Sequence, residues 1–185
     1  MIILGVDPGP ETCGVVAWWH NGWGKMGGRL DKSKLLGAWK NMPVEDVLSF
    51  ERRSTHVGTW FPPMMSKPRH RGFKVGLVAI ERMQSYGIAG SSLLRTSEVV
   101  GRVQQAAQSI GLPADLVYRR EVLKFLDVTG KGNRDSLVRQ RLIEMHGGSK
   151  QVAVGTKKKP GPLYGVSAHA WSALAVALTA AGRHE

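Results

Sequence analysis

The sequence predicts a single α/β domain, with strand patterns in its N-terminal half and helix patterns through most of its C-terminal half. A chain of 185 residues is long enough for one well-packed core and short for two. Neither an internal repeat nor a shift in composition divides residues 1–185. We therefore expect one domain in which helices cover a sheet.

Several segments have the apolar and β-branched runs, bounded by turn residues, that are typical of strands. The predicted strands are Met1–Asp7, Thr12–His20, Trp23–Arg29, Phe73–Glu81 and Leu116–Tyr118. Between them, the pattern of Asp31–Trp39 matches a short helix. Thr55–Gly72 is rich in Pro, Met and basic residues without a clear period, so we expect a flexible insertion there.

The C-terminal half shows helical periodicity in several segments. Ser91–Ile110 is the best example, because its apolar residues form a broad face over about five turns. Further predicted helices are Arg120–Leu126, the basic amphipathic Arg134–His146 and the small-residue segment Val166–Ala181. Gly147–Pro162, which carries Lys157, Lys158 and Lys159, is predicted to be a mobile basic loop.

The charge balance indicates a polyanionic partner. Lys and Arg total 26 against 14 Asp and Glu, which gives a formal charge of +12 and an isoelectric point of about 10.3. Nucleic acid is the leading candidate for such a partner. No apolar stretch reaches the length of a membrane span, and the N-terminus lacks the pattern of an export signal. The single cysteine, Cys13, fits a reducing compartment, so we expect a cytoplasmic protein with no membrane contact.

Two of the predicted strands end in a single carboxylate. Asp7 closes the first strand just before a Pro-Gly turn, and Glu81 closes the strand that begins at Phe73. If the two strands are neighbours, both carboxylates lie at one end of the sheet and can share a cation. Magnesium favours such hard oxygen ligands, completed by water and a phosphate oxygen. The alternative for Asp7 is a strand-end residue that only caps the turn.

A third contribution to this site is predicted from the last helix. His169 and Ser172 are three residues apart, so they share one face of that helix. A lone histidine on an apolar helix is more often a core residue, which is the alternative here. The two strand-end acids that precede it favour a ligand role, in which imidazole suits manganese better than magnesium.

These segments carry a resemblance to a known family. Gly5–Gly9, Val78–Glu81 and the helix that starts at His169 resemble, in order and spacing, the signature blocks of the RuvC-type resolvases in the RNase H-like nuclease superfamily. The glycine-rich basic segment Thr129–Arg134 and the Gly101-Arg102 pair also match in placement. Within that family the resemblance is to the phage-encoded branch. An actin-like phosphotransferase also opens with Gly-x-Asp-x-Gly, but that fold needs two such domains, for which this chain is too short.

The resemblance implies a fold and an activity. The fold is an RNase H-like α/β domain, a five-stranded mixed sheet flanked by helices. The activity is that of a crossover-junction endodeoxyribonuclease, which resolves four-way (Holliday) DNA junctions by metal-dependent phosphodiester hydrolysis and leaves symmetrical nicks. Such an enzyme acts as a homodimer in the cytoplasm of a bacterium or a phage-infected host cell.

The resemblance also implies roles for individual residues. Each active site would hold two Mg²⁺ or Mn²⁺ ions and no small-molecule cofactor. Asp7 would bridge both ions, while Glu81 and His169 would each bind one. Lys131 would contact the scissile phosphate or neutralise developing charge; the alternative is a solvated loop cation.

Ser172 departs from the family pattern, which usually places an aspartate three residues after the position of His169. A neutral hydroxyl is a poor substitute for a carboxylate ligand, so metal binding should weaken and cleavage should slow by orders of magnitude. We interpret the chain as an inactivated variant of a junction nuclease. The alternatives are a catalytically weak or inactive protein that binds branched DNA, and compensation by another acid. At Ser136 the family often has a lysine, which shifts phosphate contacts to Lys131 and Arg134.

Basic residues are expected to contact the phosphates of bound DNA, which gives affinity without reading its sequence. The predicted DNA-binding residues are Arg69, Arg71, Arg82, Met83, Tyr86, Lys131, Arg134, Lys157, Lys158 and Lys159. Met83 and Tyr86 are candidates for an apolar wedge that opens base pairs at the crossover. A core or interface position is the alternative for Tyr86. Trp18, Trp19 and Trp23 are interpreted as strand and hairpin packing, with base stacking as the alternative.

Overall fold

The structure is a computed structural model, and it describes residues 1–21, 33–52, 58–62, 72–84, 90–130 and 132–184. The strands are β1 (Ile2–Asp7), β2 (Thr12–Trp19), β3 (Lys34–Pro43), β4 (Phe50–Arg52), β5 (Gly58–Trp60), β6 (Phe73–Lys74), β7 (Leu77–Arg82) and β8 (Ala114–Tyr118). The helices are α1 (Val44–Val47), α2 (Ser91–Ser109), α3 (Arg119–Phe125), α4 (Arg134–Met145), α5 (Lys150–Ala153) and α6 (Ala170–Ala181).

The main sheet contains five strands in the order β3-β2-β1-β7-β8. Strand β2 is antiparallel to both of its neighbours, β1 and β3, whereas β7 runs parallel to β1 and to β8. In the central strand β1, Ile3, Leu4 and Val6 are fully buried, as expected where both faces of a sheet are covered. The predicted five-stranded mixed sheet flanked by helices is therefore confirmed.

Helix α6 is the centre of the layer on one face of the sheet. All of its residues except Ser172 are buried, and it packs on β1, β2 and β7. Gly5 of β1 lies against the backbone of Ala173, and Gly14 of β2 lies against the backbone of His169. A side chain at either glycine would collide with the helix. Small residues on both sides therefore let α6 approach the sheet closely, and its first residues lie beside β2.

Helix α2 covers the opposite face of the sheet. Along β1, Ile3 belongs to the core cluster around α6, whereas Leu4 and Val6 belong to the cluster that includes α2. The buried residues of α2 are Thr96, Val99, Val100, Val103 and Ala107. The helix predicted at Ser91–Ile110 is thus confirmed, and its broad apolar face is largely used against its own sheet.

A second, three-stranded antiparallel sheet has the order β4-β5-β6. Trp60 of this sheet is fully buried and contacts Trp39 of β3 edge-on, with 5.0 Å between ring centroids. It also stacks on Phe73 at 6.3 Å. Phe73 belongs to the same small sheet but also contacts Trp39, at 6.1 Å, so the contacts of Trp39 attach the small sheet to the main one. Trp18 of β2 is buried in the other cluster, which confirms its interpretation as a packing residue.

The predicted helix at Asp31–Trp39 is wrong. From Lys34 the chain forms β3, which pairs with β2 along the length of both strands. The apolar residues of this segment fit either an extended or a helical pattern. The free hydrogen-bonding edge of β2 decides between them, because tertiary pairing overrides weak local propensity.

Two predicted boundaries also change. The strand predicted at Phe73–Glu81 is interrupted at Val75 and Gly76, so that β6 and β7 belong to different sheets. The helix predicted from Val166 begins only at Ala170. The reason is the backbone of Ala168, whose φ of 45° lies in the left-handed region and cannot continue a helix.

Two segments predicted as loops contain regular structure. Thr55–Gly72 includes β5, although most of it lies outside the described residues, as does the predicted strand Trp23–Arg29. Gly147–Pro162 includes α5, and a bridge between Gly155 and Pro160 closes the turn that follows. The other predicted elements agree with β1, β2, β8, α3 and α4 to within a few residues. No helix in the described ranges is long and apolar enough to cross a membrane.

Gly5→Ala should destabilise the protein, because the added methyl group would collide with the backbone of Ala173 and the side chain of Ala177. Overpacking of this kind costs about 1–3 kcal/mol in the free energy of unfolding. Urea denaturation would show a lower midpoint at an unchanged slope. The matched control is Gly101→Ala on α2, where the space around the glycine is open, and this variant should be neutral or more stable by up to about 1 kcal/mol. Equal midpoints for the two variants would contradict the close approach of α6 to β1.

Candidate active site

The parallel register of β1 and β7 places Asp7 beside Glu81. Val6 pairs with Ile80, so the next residue on each strand lies at the same edge of the sheet. Both side chains are largely withdrawn from solvent, with 16% of Asp7 and 9% of Glu81 exposed. The two strands therefore bring together the two acids on which the predicted metal site depends.

Burial raises the pKa of both carboxyl groups. With all causes together, the pKa of Asp7 rises from 3.8 to about 6 and that of Glu81 from 4.5 to about 7, and desolvation is the largest cause for both groups. The negative charge of Asp7 contributes to the raised pKa of Glu81, while the guanidinium of Arg119 opposes the rise in the pKa of both groups. The pair therefore takes up a proton at a higher pH than two exposed carboxyl groups would, and a cation nearby would oppose this uptake.

His169 and Ser172 reach the same place from the start of α6. His169 is the N-cap residue of the helix, and its Nδ1 lies 3.3 Å from Oδ2 of Asp7. Its side chain is 66% exposed, so it is not a core histidine. Ser172 lies in the first turn and is half-buried. All of these side chains, with Glu81, line a cleft of about 490 Å³.

Arg119 and Asp135 form the wall of the cleft next to Glu81. Arg119 begins α3 directly after β8, and its Nη1 lies 3.6 Å from Oε1 of Glu81. Its Nη2 forms an ion pair with Asp135 at the start of α4. The side-chain oxygen of Asn133 caps α4 by accepting hydrogen bonds from the backbone N–H groups of Asp135, at 3.0 Å, and Ser136, at 3.4 Å. Arg119 therefore connects Glu81 to the first turn of α4.

Further arginines surround this acidic centre. Arg82 and Arg120 lie over the ring of Tyr118, at 5.2 and 5.1 Å from guanidinium carbon to ring centroid. Both residues line the cleft, as does Arg134. A guanidinium that stacks on an aromatic ring can still donate hydrogen bonds in its own plane to a phosphate. The cleft thus combines acids at its centre with cations at its rim.

Sequence reasoning missed Arg119, Arg120 and Asp135. The first two follow directly on β8, but Val117 is the only buried residue of that strand, so its apolar pattern is weaker than that of β1 or β7. The pairing of Glu81 with Val117 shows why they reach the cleft, since β8 ends beside β7. The adjacency of β8 and β7 follows from the order of the strands in the sheet, and no local pattern in the sequence indicates it. Nothing in the sequence pattern marked Asp135 as more than a helix N-terminal acid.

The other predicted site residues are spread more widely. Met83 lines the cleft and is 43% exposed, as a wedge would have to be. Lys157, Lys158 and Lys159 are exposed on the turn after α5 and do not line the cleft. The predicted residues that lie outside the described part of the chain are Arg69, Arg71, Tyr86 and Lys131.

The donor set in the cleft fits a divalent cation but offers few ligands. The carboxylates of Asp7 and Glu81 are hard oxygen ligands, and His169 adds a nitrogen donor. Ser172 adds only a neutral hydroxyl. Within the residues that the structure describes, no three His, Cys, Asp or Glu side chains are grouped closely enough to hold a metal ion. Water and substrate oxygens would have to supply the remaining ligands.

Asp7→Asn should stabilise the metal-free protein at pH 8. The pKa of Asp7 is higher in the folded than in the unfolded chain, so the stability that this group contributes is present below about pH 4 and lost as the pH rises through about 6. Removing the charge should therefore raise the free energy of unfolding by about 1–3 kcal/mol at pH 8, and by less at pH 5. Thermal denaturation in EDTA at both pH values measures the difference.

The control for this change is Glu11→Gln, which removes a carboxylate from an exposed position. A surface change of this kind should leave the free energy of unfolding within about 0.5 kcal/mol at both pH values. If Asp7→Asn were less stable than the parent chain at pH 8, the desolvation of the buried Asp7 carboxylate would not be the dominant effect.

The fold of the chain is similar to that of known structures, although its sequence matches no protein-family model and no curated protein. A structure of RuvC from Thermus thermophilus superposes with a TM-score of 0.56 at 21% identity, over 100% of this chain and 96% of that one. T. thermophilus RuvC in complex with a Holliday junction substrate gives a TM-score of 0.54 at 19% identity, with the same coverage. The five-stranded mixed sheet and its flanking helices therefore form a RuvC-like, RNase H-like fold.

Proposed function

We propose that this protein is a structure-selective endonuclease that resolves four-way (Holliday) DNA junctions by metal-dependent hydrolysis. The observation that carries the proposal is the Asp7–Glu81 pair in a cleft rimmed by Arg82, Arg120 and Arg134. Metal-dependent phosphodiester hydrolysis needs cation ligands at its centre and phosphate contacts around them. The likeness to RuvC, which one structure shows in complex with a Holliday junction substrate, supports the choice of substrate. The blocks around Asp7 and Glu81 favour the phage-encoded branch.

Asp7, Glu81 and His169 would hold the metal, for which Mg²⁺ and Mn²⁺ both suit the donor atoms. A bound metal of this kind supplies Lewis acidity and lowers the pKa of a coordinated water, and the resemblance implies two such ions. A bound cation would favour the ionised form of both carboxyl groups. Asp7 contacts Nδ1 of His169 and so fixes the orientation of the imidazole. The arginines of the rim would neutralise the phosphate and hold it over the acids.

The proposed enzyme is a homodimer, because paired nicks on a junction of two-fold symmetry need two active sites related by that axis. We assign the interface to α2, where Leu94 is 61% exposed beside the face that packs on the sheet. Met83 would act as the wedge at the crossover. Lysines and arginines beyond the cleft would extend the phosphate contacts along the arms of the junction, with Lys131 at the scissile phosphate.

A second function is favoured by one specific observation. Ser172 lines the same cleft as Asp7 and Glu81, and its side chain brings no charge. A cleft with this serine can bind branched DNA through its arginine rim while it cleaves slowly or not at all. The alternative function is therefore a junction-binding protein with weak or absent catalysis.

Ser172→Asp should increase metal-dependent nicking of a labelled four-way junction by about tenfold or more over the parent chain. The added carboxylate supplies a charged ligand that the parent chain lacks at this point of the cleft. Cleavage of the junction and of a matched linear duplex, each with Mg²⁺ and with Mn²⁺, measures the effect. Nicks on the two opposing strands should be symmetrical.

The control is Asp7→Asn in the Ser172→Asp background, which should abolish nicking and leave junction binding intact. If Ser172→Asp binds the junction but does not nick it, the binding function replaces the enzymatic one. If neither chain distinguishes the junction from the duplex, the proposed substrate is wrong.

Arg120→Gln should weaken junction binding and reduce the slope of log K against log salt concentration by about one, because one phosphate contact is lost. Gel-shift titrations between low and physiological salt measure both quantities. Arg102→Gln is the matched control, since Arg102 pairs with Glu45 at 2.8 Å and does not line the cleft. An unchanged slope for Arg120→Gln would remove Arg120 from the DNA contacts.

A further inference from the structure

Arg119 occupies the acidic end of the cleft as a fixed cation. Its guanidinium contacts Glu81 on one side and Asp135 on the other. The backbone holds it there, because Arg119 is the first residue of α3 and follows directly on β8, which pairs with β7. A guanidinium stays charged throughout the physiological pH range and, unlike a metal ion, cannot dissociate.

Basic side chains outnumber acidic ones in the cleft. Three carboxylates line it, those of Asp7, Glu81 and Asp135, against four arginines, which are Arg82, Arg119, Arg120 and Arg134. Even one bound divalent ion therefore leaves an excess of positive charge, which a DNA phosphate would have to offset. A second divalent ion would add positive charge that no further carboxylate offsets, since Ser172 is neutral. That ion would also lie within a rim of arginines, where repulsion between like charges is strong at separations of a few ångströms.

The positions of the ligands lead to the same conclusion. His169 lies against Asp7, so the imidazole and this carboxylate face one region of the cleft. Oε1 of Glu81 faces Arg119 instead. A second ion bound at that oxygen would have to displace the guanidinium.

We propose that the guanidinium of Arg119 stands where a second divalent cation would otherwise act, so that each chain binds one metal ion. This inference rests on the proposed function, because it concerns the metal site of the same nuclease. Arg119 would stabilise negative charge on the scissile phosphate and on the 3′ oxygen as its bond to phosphorus breaks. A guanidinium donates hydrogen bonds without releasing a proton, so the departing oxygen would take its proton from water. Asp135 is then a positioning residue that holds Arg119 in place.

Titration of the metal-free chain with Mn²⁺ tests this stoichiometry without requiring catalysis. The electron paramagnetic resonance signal of free Mn²⁺ gives the number of ions bound per chain. The parent chain should bind about one ion. Ser172→Asp should also bind about one, with an affinity higher by roughly threefold to tenfold, because the added carboxylate strengthens the same site. Ser172→Asp combined with Arg119→Gln should bind about two ions, because both the ligand and the space are then available.

Two further variants test whether the number of bound ions depends on the positive charge at position 119 or on a general effect of replacing an arginine. Ser172→Asp with Arg119→Lys keeps a cation at this position and should bind about one ion. Ser172→Asp with Arg102→Gln removes an arginine outside the cleft and should also bind about one. The inference is overturned if the parent chain binds two ions or none. It is equally overturned if Ser172→Asp alone binds two ions, since Arg119 would not then hold the second position.

Junction binding, measured by gel shift without metal, tests the proposed function independently. If the chain binds about one Mn²⁺ ion but ignores junctions, the proposed substrate fails and the role of Arg119 stands. If the chain binds junctions and takes up two ions, the substrate stands and the role of Arg119 fails.

Discussion

The burial of two neighbouring carboxyl groups, Asp7 and Glu81, is the constraint on which the rest of the site depends. The Val6–Ile80 register fixes both residues at the ends of adjacent parallel strands, so they cannot separate without loss of main-chain hydrogen bonds. Burial removes the water that would otherwise screen them, and the pKa of each rises as a result. Positive charge near this pair therefore stabilises its ionised form. Arg119 supplies part of that charge from within the protein, and under the proposed function a divalent ion would supply the rest.

Close packing explains how α6 takes part in this site. A helix of small residues lies directly on a sheet that has glycines where the two backbones meet, at Gly5 and Gly14. The second of these contacts is with the backbone of His169, so the packing that builds the core also sets the position of the imidazole beside Asp7. The left-handed backbone of Ala168 turns the chain into the helix at this point. The stability of the core and the geometry of the site therefore depend on the same interface.

The parts of this arrangement that could be predicted from the sequence are those with a local signal. Apolar strands that end in one acid predicted Asp7 and Glu81 as partners, and the spacing of His169 and Ser172 predicted their shared position in the cleft. Strand β3 was not predicted, because the apolar residues of this segment fit both a strand and a helix. Only its pairing with the edge of β2 decides between the two. The positions of Arg119 and Asp135 escaped because they depend on sheet order and on the first turn of α4, which no local pattern encodes. Site residues can thus be predicted where they end an apolar strand. They cannot be predicted where only the order of the strands or a neighbouring helix brings them to the site.

The neutral serine at position 172 is physically consistent with the charges of the residues that line the cleft. An aspartate there would add a further negative charge beside carboxyl groups whose pKa is already raised by burial, and the dipole of α6 would offset only part of the repulsion. Serine removes that repulsion from the metal-free protein, at the expense of a ligand, as in other exchanges between stability and activity at functional sites. Arg119 also reduces the repulsion between negative charges, because it supplies a permanent positive charge. A more acidic site would need a metal ion for this. In the proposed one-ion site, the neutral side chain of Ser172 and the fixed cation of Arg119 would act together, because fewer carboxylates require fewer bound ions.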